Sequence, residues 1–217
     1  GLGMMRVGVL ISGRGSNLQS LIDARDAGSL PVELVSVISN VAGAPGLERA
    51  KAAGITSNVV DHKKFDGRAP FEDALSAALL DADVEFLCLA GFMRLLTDGF
   101  VNKWQDRLIN IHPSLLPAFK GLDTHARAIE AGVRFAGCTV HFVRPTMDEG
   151  PIIVQAAVPI LSGDTPASLG ERVLAEEHKI YPLALRLIAE ERATVDGARV
   201  IIDGADAAME AVINPPG

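Results

Sequence analysis

The chain has 217 residues, 48% hydrophobic and 22% charged, enough apolar material for one sizeable α/β core. Its formal net charge is −7, with acidic and basic residues interspersed, so it lacks the basic face of a general nucleic-acid or membrane-surface binder. A small anionic ligand stays open, because local donors outweigh net charge at a site.

The opening GLGM, residues 1–4, lacks the charged start and apolar run of a signal peptide and is set aside as in part an appended segment. RVGVLIS (6–12), VELVSVIS (32–39), VEFLCLAG (84–91) and RLINI (107–111) then read as strands. The first three are too uniformly apolar for a sheet with one wet face, so they are expected to be buried on both sides. Helical patterns fall between them: residues 16–28, residues 45–54 with Pro first and Gly after, and residues 69–81. Strand and helix in alternation predict a mostly parallel, Rossmann-like sheet with helices on both faces. In the second half GCTVHFV (137–143) and PIIVQAAVPI (151–160) are close enough to add a hairpin-like extension to that sheet. A long helix is expected from about Thr165 to Glu190, capped by Asp164 or Thr165, followed by a polar, Gly-rich tail with one short strand, RVII. No apolar run reaches the ~18 residues of a membrane span. The two cysteines, Cys88 and Cys138, sit inside apolar runs without metal-ligand spacing, which predicts buried free thiols and a reducing, cytoplasmic setting.

Two stretches carry chemistry. In LISGRGSNLQSLI (10–22) a buried strand ends, a Gly-rich turn follows and a helix opens near Ser16 and Asn17. Unpaired amides at a helix start carry partial positive charge and favour a phosphate, and Gly13 and Gly15 let backbone approach it. The dinucleotide fingerprint is incomplete, since Leu18 stands where its third Gly belongs, and helix capping by Ser16 or Asn17 is the plain alternative. In NIHPSLLPAFKGLDTH (110–125), Asn110 and His112 lie two apart, so on a strand both side chains leave one face. Pro113 biases His112 toward extended backbone. A neutral amide and an imidazolium side by side suit a developing oxyanion; the alternative is a loop Asn and a His satisfied by a carbonyl. Asp148, in the Pro- and Gly-bounded loop RPTMDEG, is the natural third member, since a carboxylate there favours the charged imidazole and can pass protons through water. It reads equally as a solvated turn residue. No G-x-S-x-G elbow accompanies these residues, and the five histidines lack zinc-ligand spacing, so neither a serine hydrolase nor a metal site is expected.

With these pieces the chain resembles the glycinamide ribonucleotide (phosphoribosylglycinamide) formyltransferases of purine biosynthesis. VLISGRGSNLQSLIDA, LAGFMRLL, NIHPSLLPAFKG, GCTVHFV with MDEGPII, and EEHKIYP carry the resemblance in order, from about Arg6 to Pro182. It implies a one-carbon transferase with the formyltransferase fold, moving formyl from 10-formyltetrahydrofolate, a co-substrate, to the ribonucleotide amine. Asn110 and His112 would stabilise the oxyanion, with Asp148 holding His112 charged. The ribonucleotide side falls on Gly15, Ser16, Asn17 and Glu177. The folate side falls on Arg68, on Met93, Arg94, Leu95 and Leu96, on Asn110, and on Arg144, Pro145, Thr146, Met147 and Asp148. No bound cofactor and no metal are implied. Partners are small molecules, with no nucleic acid and no membrane, in a monomer or homodimer.

The expected layout is one domain over residues 5–217: a phosphate-binding half (6–105), a catalytic and folate-binding half (106–190) and a tail (191–217). Without the family match, FMRLL reads as core, Glu177 as a solvated helix residue and His141 as a satisfied sheet histidine or a brace for the Asp148 loop. Three positions depart from the family pattern: Leu174 for a polar side chain, Asp123 for a His, and Arg14 for Asn. A 10-formyltetrahydrofolate deformylase would share the trio but carry an added N-terminal domain. Formyl transfer to methionyl-tRNA would need a further domain and a basic surface. A non-catalytic nucleotide-binding module would need only the Gly-rich turn.

Overall fold

The computed structural model describes residues 3–204 and 207–217. Its elements in chain order are β1 (Met5–Ile11), α1 (Ser16–Asp26), β2 (Val32–Ser39), α2 (Gly46–Ala52), β3 (Ser57–Val59), a 3-10 turn (His62–Lys64), α3 (Arg68–Asp81) and β4 (Phe86–Leu89). Then follow α4 (Asp98–Lys103), β5 (Leu108–His112), α5 (Thr124–Ala131), β6 (Phe135–Phe142), β7 (Ile152–Pro159), α6 (Pro166–Ala189), β8 (Ala193–Asp196) and β9 (Arg199–Ile202).

Seven strands form one sheet in the order β3-β2-β1-β4-β5-β6-β7. The first five run parallel, and β6 and β7 turn antiparallel as the expected hairpin-like extension. β8 and β9 pair separately as a two-stranded sheet, so RVII is a strand but not part of the main sheet.

Both sheet faces are covered, as the apolar runs require. Val7, Val9, Ile11, Ile109, Cys138 and Val140 pack against Leu18 and Leu21 of α1 and Val173 and Tyr181 of α6. Leu10, Leu87, Leu89 and Leu108 pack on the other face against Phe71, Leu75 and Leu79 of α3 and Phe100 and Trp104 of α4. Each fully buried aliphatic chain here is worth about 1.5–3 kcal/mol against leaving it in water. Both cysteines are free and buried, and burial pushes the Cys138 thiol up to about 12.

The helix ends follow their local chemistry. α6 opens on a capping box: the Thr165 hydroxyl accepts from the Ser168 amide at 3.1 Å while the Ser168 hydroxyl accepts from the Thr165 amide at 2.9 Å, and Pro166 takes the first position. Asp164, the other expected cap, instead pairs with Arg172 at 2.6 Å. α1 is different: its N-cap is Gly15, in the left-handed region at φ 75°, and no side chain caps it. The alternative reading, in which Ser16 or Asn17 caps the helix, is therefore not met, and the first α1 amides are left for another acceptor.

Candidate active site

β5 delivers the first two residues. Leu108 points into the α3–α4 layer, so Asn110 and His112, at steps of two, leave the same face. The antiparallel register sets His141 opposite Asn110 and Thr139 opposite His112. Thr139 holds the chain as it turns away from His112. Its hydroxyl donates to Ser114 O at 2.7 Å and accepts from the Leu116 amide at 3.2 Å and Gln155 Nε2 at 3.0 Å.

His112 Nε2–H donates to the carbonyl of Phe119 at 2.9 Å, which turns Nδ1 toward Asp148. Nδ1 lies 3.6 Å from Asp148 Oδ1, and the two side chains are only 7% and 8% exposed. Asp148 Oδ2 in turn accepts from the Gly121 amide at 2.8 Å. The strand end and the 143–151 loop are thus joined through the 119–121 backbone. Arg127 of α5 holds that backbone, its Nη1 donating to Lys120 O and Leu122 O at 2.7 Å each, with the guanidinium 5.6 Å from the centre of the Phe119 ring. His141 is buried beside the trio. Its Nδ1–H donates to Phe142 O at 2.9 Å, its Nε2 lacks a partner among the described residues, and burial pushes the imidazole down from its ordinary range.

The second cluster gathers at the start of α1. Gly46 N–H donates to Gly13 O at 2.9 Å, and Arg49 Nε donates to Arg14 O at 2.7 Å, so α2 braces the Gly-rich turn from behind. The Arg14 side chain itself is exposed. Asn17 Nδ2 donates to Glu177 Oε1 at 3.1 Å, bringing together two residues 160 positions apart. Glu177 is buried, and that burial pushes its carboxyl up while the Asn17 bond pulls the other way. Asn17 Oδ1 is buried without a partner among the described residues. Leu174, one turn earlier on α6, is half-buried. A cavity of about 570 Å³ opens from Ser16 between α1 and α6, beside Arg49, His178 and Lys179.

Apart from Asn110 on β5 and Arg68 on α3, the residues assigned to the folate side fall on two loops, after β4 and after β6. Met93 and Leu95 are 67% and 59% exposed after β4, and Met147 is 53% exposed in the loop after β6. Arg94 and Leu96 are half-buried, and Pro145 and Thr146 are exposed. Arg144 is committed elsewhere: its Nη2 donates to Asp106 Oδ1 at 2.6 Å. Arg68 is exposed at the first turn of α3. Among the described residues no group of three His, Cys, Asp or Glu side chains could hold a metal ion. No described helix is long and apolar enough to cross a membrane.

Sequence reasoning missed the groups that hold the trio: Phe119 O, Gly121 N–H, Arg127 and Thr139. Two are backbone atoms and carry no residue signature. Thr139 had a signal, its place in GCTVHFV two residues before His141, but only strand register pairs it with His112.

An amide and an imidazole at the C-terminal end of a parallel strand, with a largely buried carboxylate on the neighbouring loop, make a candidate α/β enzyme site in the crevice where such sheets bind ligands. A formyl transferase family model matches residues 5–185, and the chain belongs to the formyl transferase family. Among relatives of matching length is the phosphoribosylglycinamide formyltransferase of Haemophilus influenzae, 42% identical over 201 residues, 93% of this chain and 95% of that one. The crystal structure of glycinamide ribonucleotide transformylase 1 from Symbiobacterium toebii is similar with a TM-score of 0.89 at 51% identity, covering 92% of this chain and 94% of that one. The human trifunctional purine biosynthetic protein adenosine-3 is 50% identical over 184 residues, but the chain spans only 18% of that protein's length.

Proposed function

We propose that the chain is a phosphoribosylglycinamide formyltransferase, moving the formyl group of 10-formyltetrahydrofolate to the amine of glycinamide ribonucleotide. The products are formylglycinamide ribonucleotide and tetrahydrofolate. The amine nitrogen attacks the formyl carbon, and the carbonyl electrons move onto oxygen. Asn110 Nδ2–H and His112 Nδ1–H donate to that oxyanion. The bond to the folate nitrogen then breaks as the intermediate collapses. The proton lost by the amine reaches the departing nitrogen through water held at Asp148, whose carboxylate faces His112 Nδ1.

The observation that carries this reading is the His112–Asp148 geometry. Nε2 is used by Phe119 O, so only Nδ1 is left to serve the reacting oxygen, and a buried carboxylate stands 3.6 Å from it. The capless start of α1, at Gly15, Ser16 and Asn17, is the seat for the ribonucleotide phosphate, with Glu177 on the same side. Exposed Met93, Leu95 and Met147 offer apolar cover for the folate ring, with Arg94, Leu96, Pro145 and Thr146 beside them. Arg144 and Arg68 join that side only if Arg144 leaves Asp106 and Arg68 folds inward on binding. The folate is a co-substrate in this reading, no metal takes part, and the setting is cytoplasmic, as a monomer or homodimer.

The test mixes the protein with a 10-formylfolate analogue and follows loss of the formyl group by absorbance, with and without glycinamide ribonucleotide. Loss that requires the ribonucleotide is expected. Loss at the same rate without it makes water the acceptor and the protein a deformylase. No loss in either case, with both ligands bound, overturns the assignment of Asn110, His112 and Asp148.

A further inference from the structure

Tyr181 is fully buried in the core of α6, yet its hydroxyl does not bond within its own helix. The Tyr181 hydroxyl oxygen lies 2.6 Å from Leu89 O, to which it donates its single proton, with Ile109 O next at 3.3 Å. These carbonyls are not arbitrary. Leu89 is the last residue of β4, and its peptide leads into the loop that carries Met93 to Leu96. The Ile109 carbonyl belongs to the peptide whose nitrogen is that of Asn110. Tyr181 also stands four residues after Glu177, on the same face of α6. Burial and the neighbouring Cys88 push its phenol well above its ordinary range, so it stays a neutral donor at any working pH.

We propose that Tyr181 is a positioning residue for formyl transfer, its hydroxyl setting the spacing between Glu177 on the ribonucleotide side and Asn110 and the 91–96 loop on the formyl side. The inference rests on the formyl-transfer reading for its kinetic consequence. Attack of an amine on a formyl carbon needs the two held in near-contact, and a misplacement of about 1 Å costs on the order of 100-fold in rate. An ordinary buried tyrosine would need only some carbonyl for its proton. Here the carbonyls are the ones from which the reacting side chain and the neighbouring loop leave the sheet. A tie of that kind affects how well the bound substrates meet, and much less how tightly each binds alone.

Tyr181→Phe removes the hydroxyl and keeps the ring in the core. The expected result is a kcat lower by about 10-fold, with KM for each substrate within about twofold of the parent. On an Asn110→Ala background the same change should cost no more than about twofold, because the residue it acts through is gone. A kcat within about twofold of the parent, or a full, independent loss on the Asn110→Ala background, overturns the proposal. Amide exchange supplies a readout without substrate. The Ala90 amide, hydrogen-bonded to Leu10 O at 2.9 Å, belongs to the Leu89 peptide and should lose protection in Tyr181→Phe. Unchanged protection there means that the hydroxyl does not anchor the strand end, and overturns the tie. If the parent protein transfers no formyl group at all, the reaction reading fails, while exchange at Ala90 still decides the tie.

Discussion

Replacing Asp148 with asparagine removes one negative charge and little else. The amide keeps an oxygen for the Gly121 N–H, now 2.8 Å from Oδ2, so the 143–151 loop retains its hold on the 119–121 backbone. What is lost is the charge 3.6 Å from His112 Nδ1, between side chains only 7% and 8% exposed. At that separation an effective dielectric of about 20 gives an attraction of roughly 4–5 kcal/mol for a fully charged pair. Part of this is already present before the formyl oxygen develops its charge, so only a share bears on the barrier. A loss of about 10²–10³-fold in kcat is expected, equivalent to roughly 3–4 kcal/mol. Single-turnover kinetics with saturating substrates measures the chemical step, and ligand titration checks that both substrates still bind. A variant that binds both and keeps kcat within about threefold would refute the electrostatic role argued for Asp148.

Two further outcomes follow from the other half of the site. In Gly15→Ala a Cβ would stand 2.8 Å from the Gly46 Cα on a backbone at φ 75°, so the turn must shift. KM for the ribonucleotide should rise by about 10-fold at a stability cost of roughly 1–2 kcal/mol; a rise in the folate KM instead would misplace the phosphate seat. Glu177 gives a pH signature, since burial raises its carboxyl from an ordinary 4.5 and the folded chain binds that proton more tightly than the unfolded one. The stability from this group is full below pH 4.5 and is lost as pH rises through the raised folded value. Urea denaturation from about pH 4 to 8 should show that loss in the parent and its absence in Glu177→Gln; parallel curves would contradict the desolvation argument.

The sheet was legible because its strands are buried on both faces and so appear as unbroken apolar runs. Elements that escaped are short, or sit where polar residues dominate. β3 is three residues at the sheet edge with Val59 exposed. α4 is six residues containing Gly99 and Asn102, held by tertiary packing of Phe100 and Val101 and by the Thr97 cap at 3.3 Å. α5 follows Asp123 in the left-handed region, at φ 53°, where no side-chain cap announces a helix. The long VEFLCLAG run gave only the four residues Phe86–Leu89, because its ends make turns that apolarity alone does not reveal. In the site, strand periodicity put Asn110 and His112 on one face of β5, whereas Asn17 and Glu177 were only assigned to one side by the resemblance, and the hydrogen bond between them had no sequence signal. The commitment of Arg144 to Asp106 had no such signal, because a charged loop residue chooses among partners only once the chain is folded.

The hydrogen bond between Asn17 and Glu177 also orders events in time. A chain leaving the ribosome presents α1 long before α6, and β1 can complete its sheet pairing only after β4 has emerged. The β6–β7 hairpin is local, while the Asn17–Glu177 contact closes across 160 positions. Newly made protein therefore cannot form the Asn17–Glu177 hydrogen bond until α6 has been synthesised, and truncated chains ending before α6 leave the Asn17 side-chain amide without that partner. The α1–α6 contact is thus among the last long-range links that a growing chain can close.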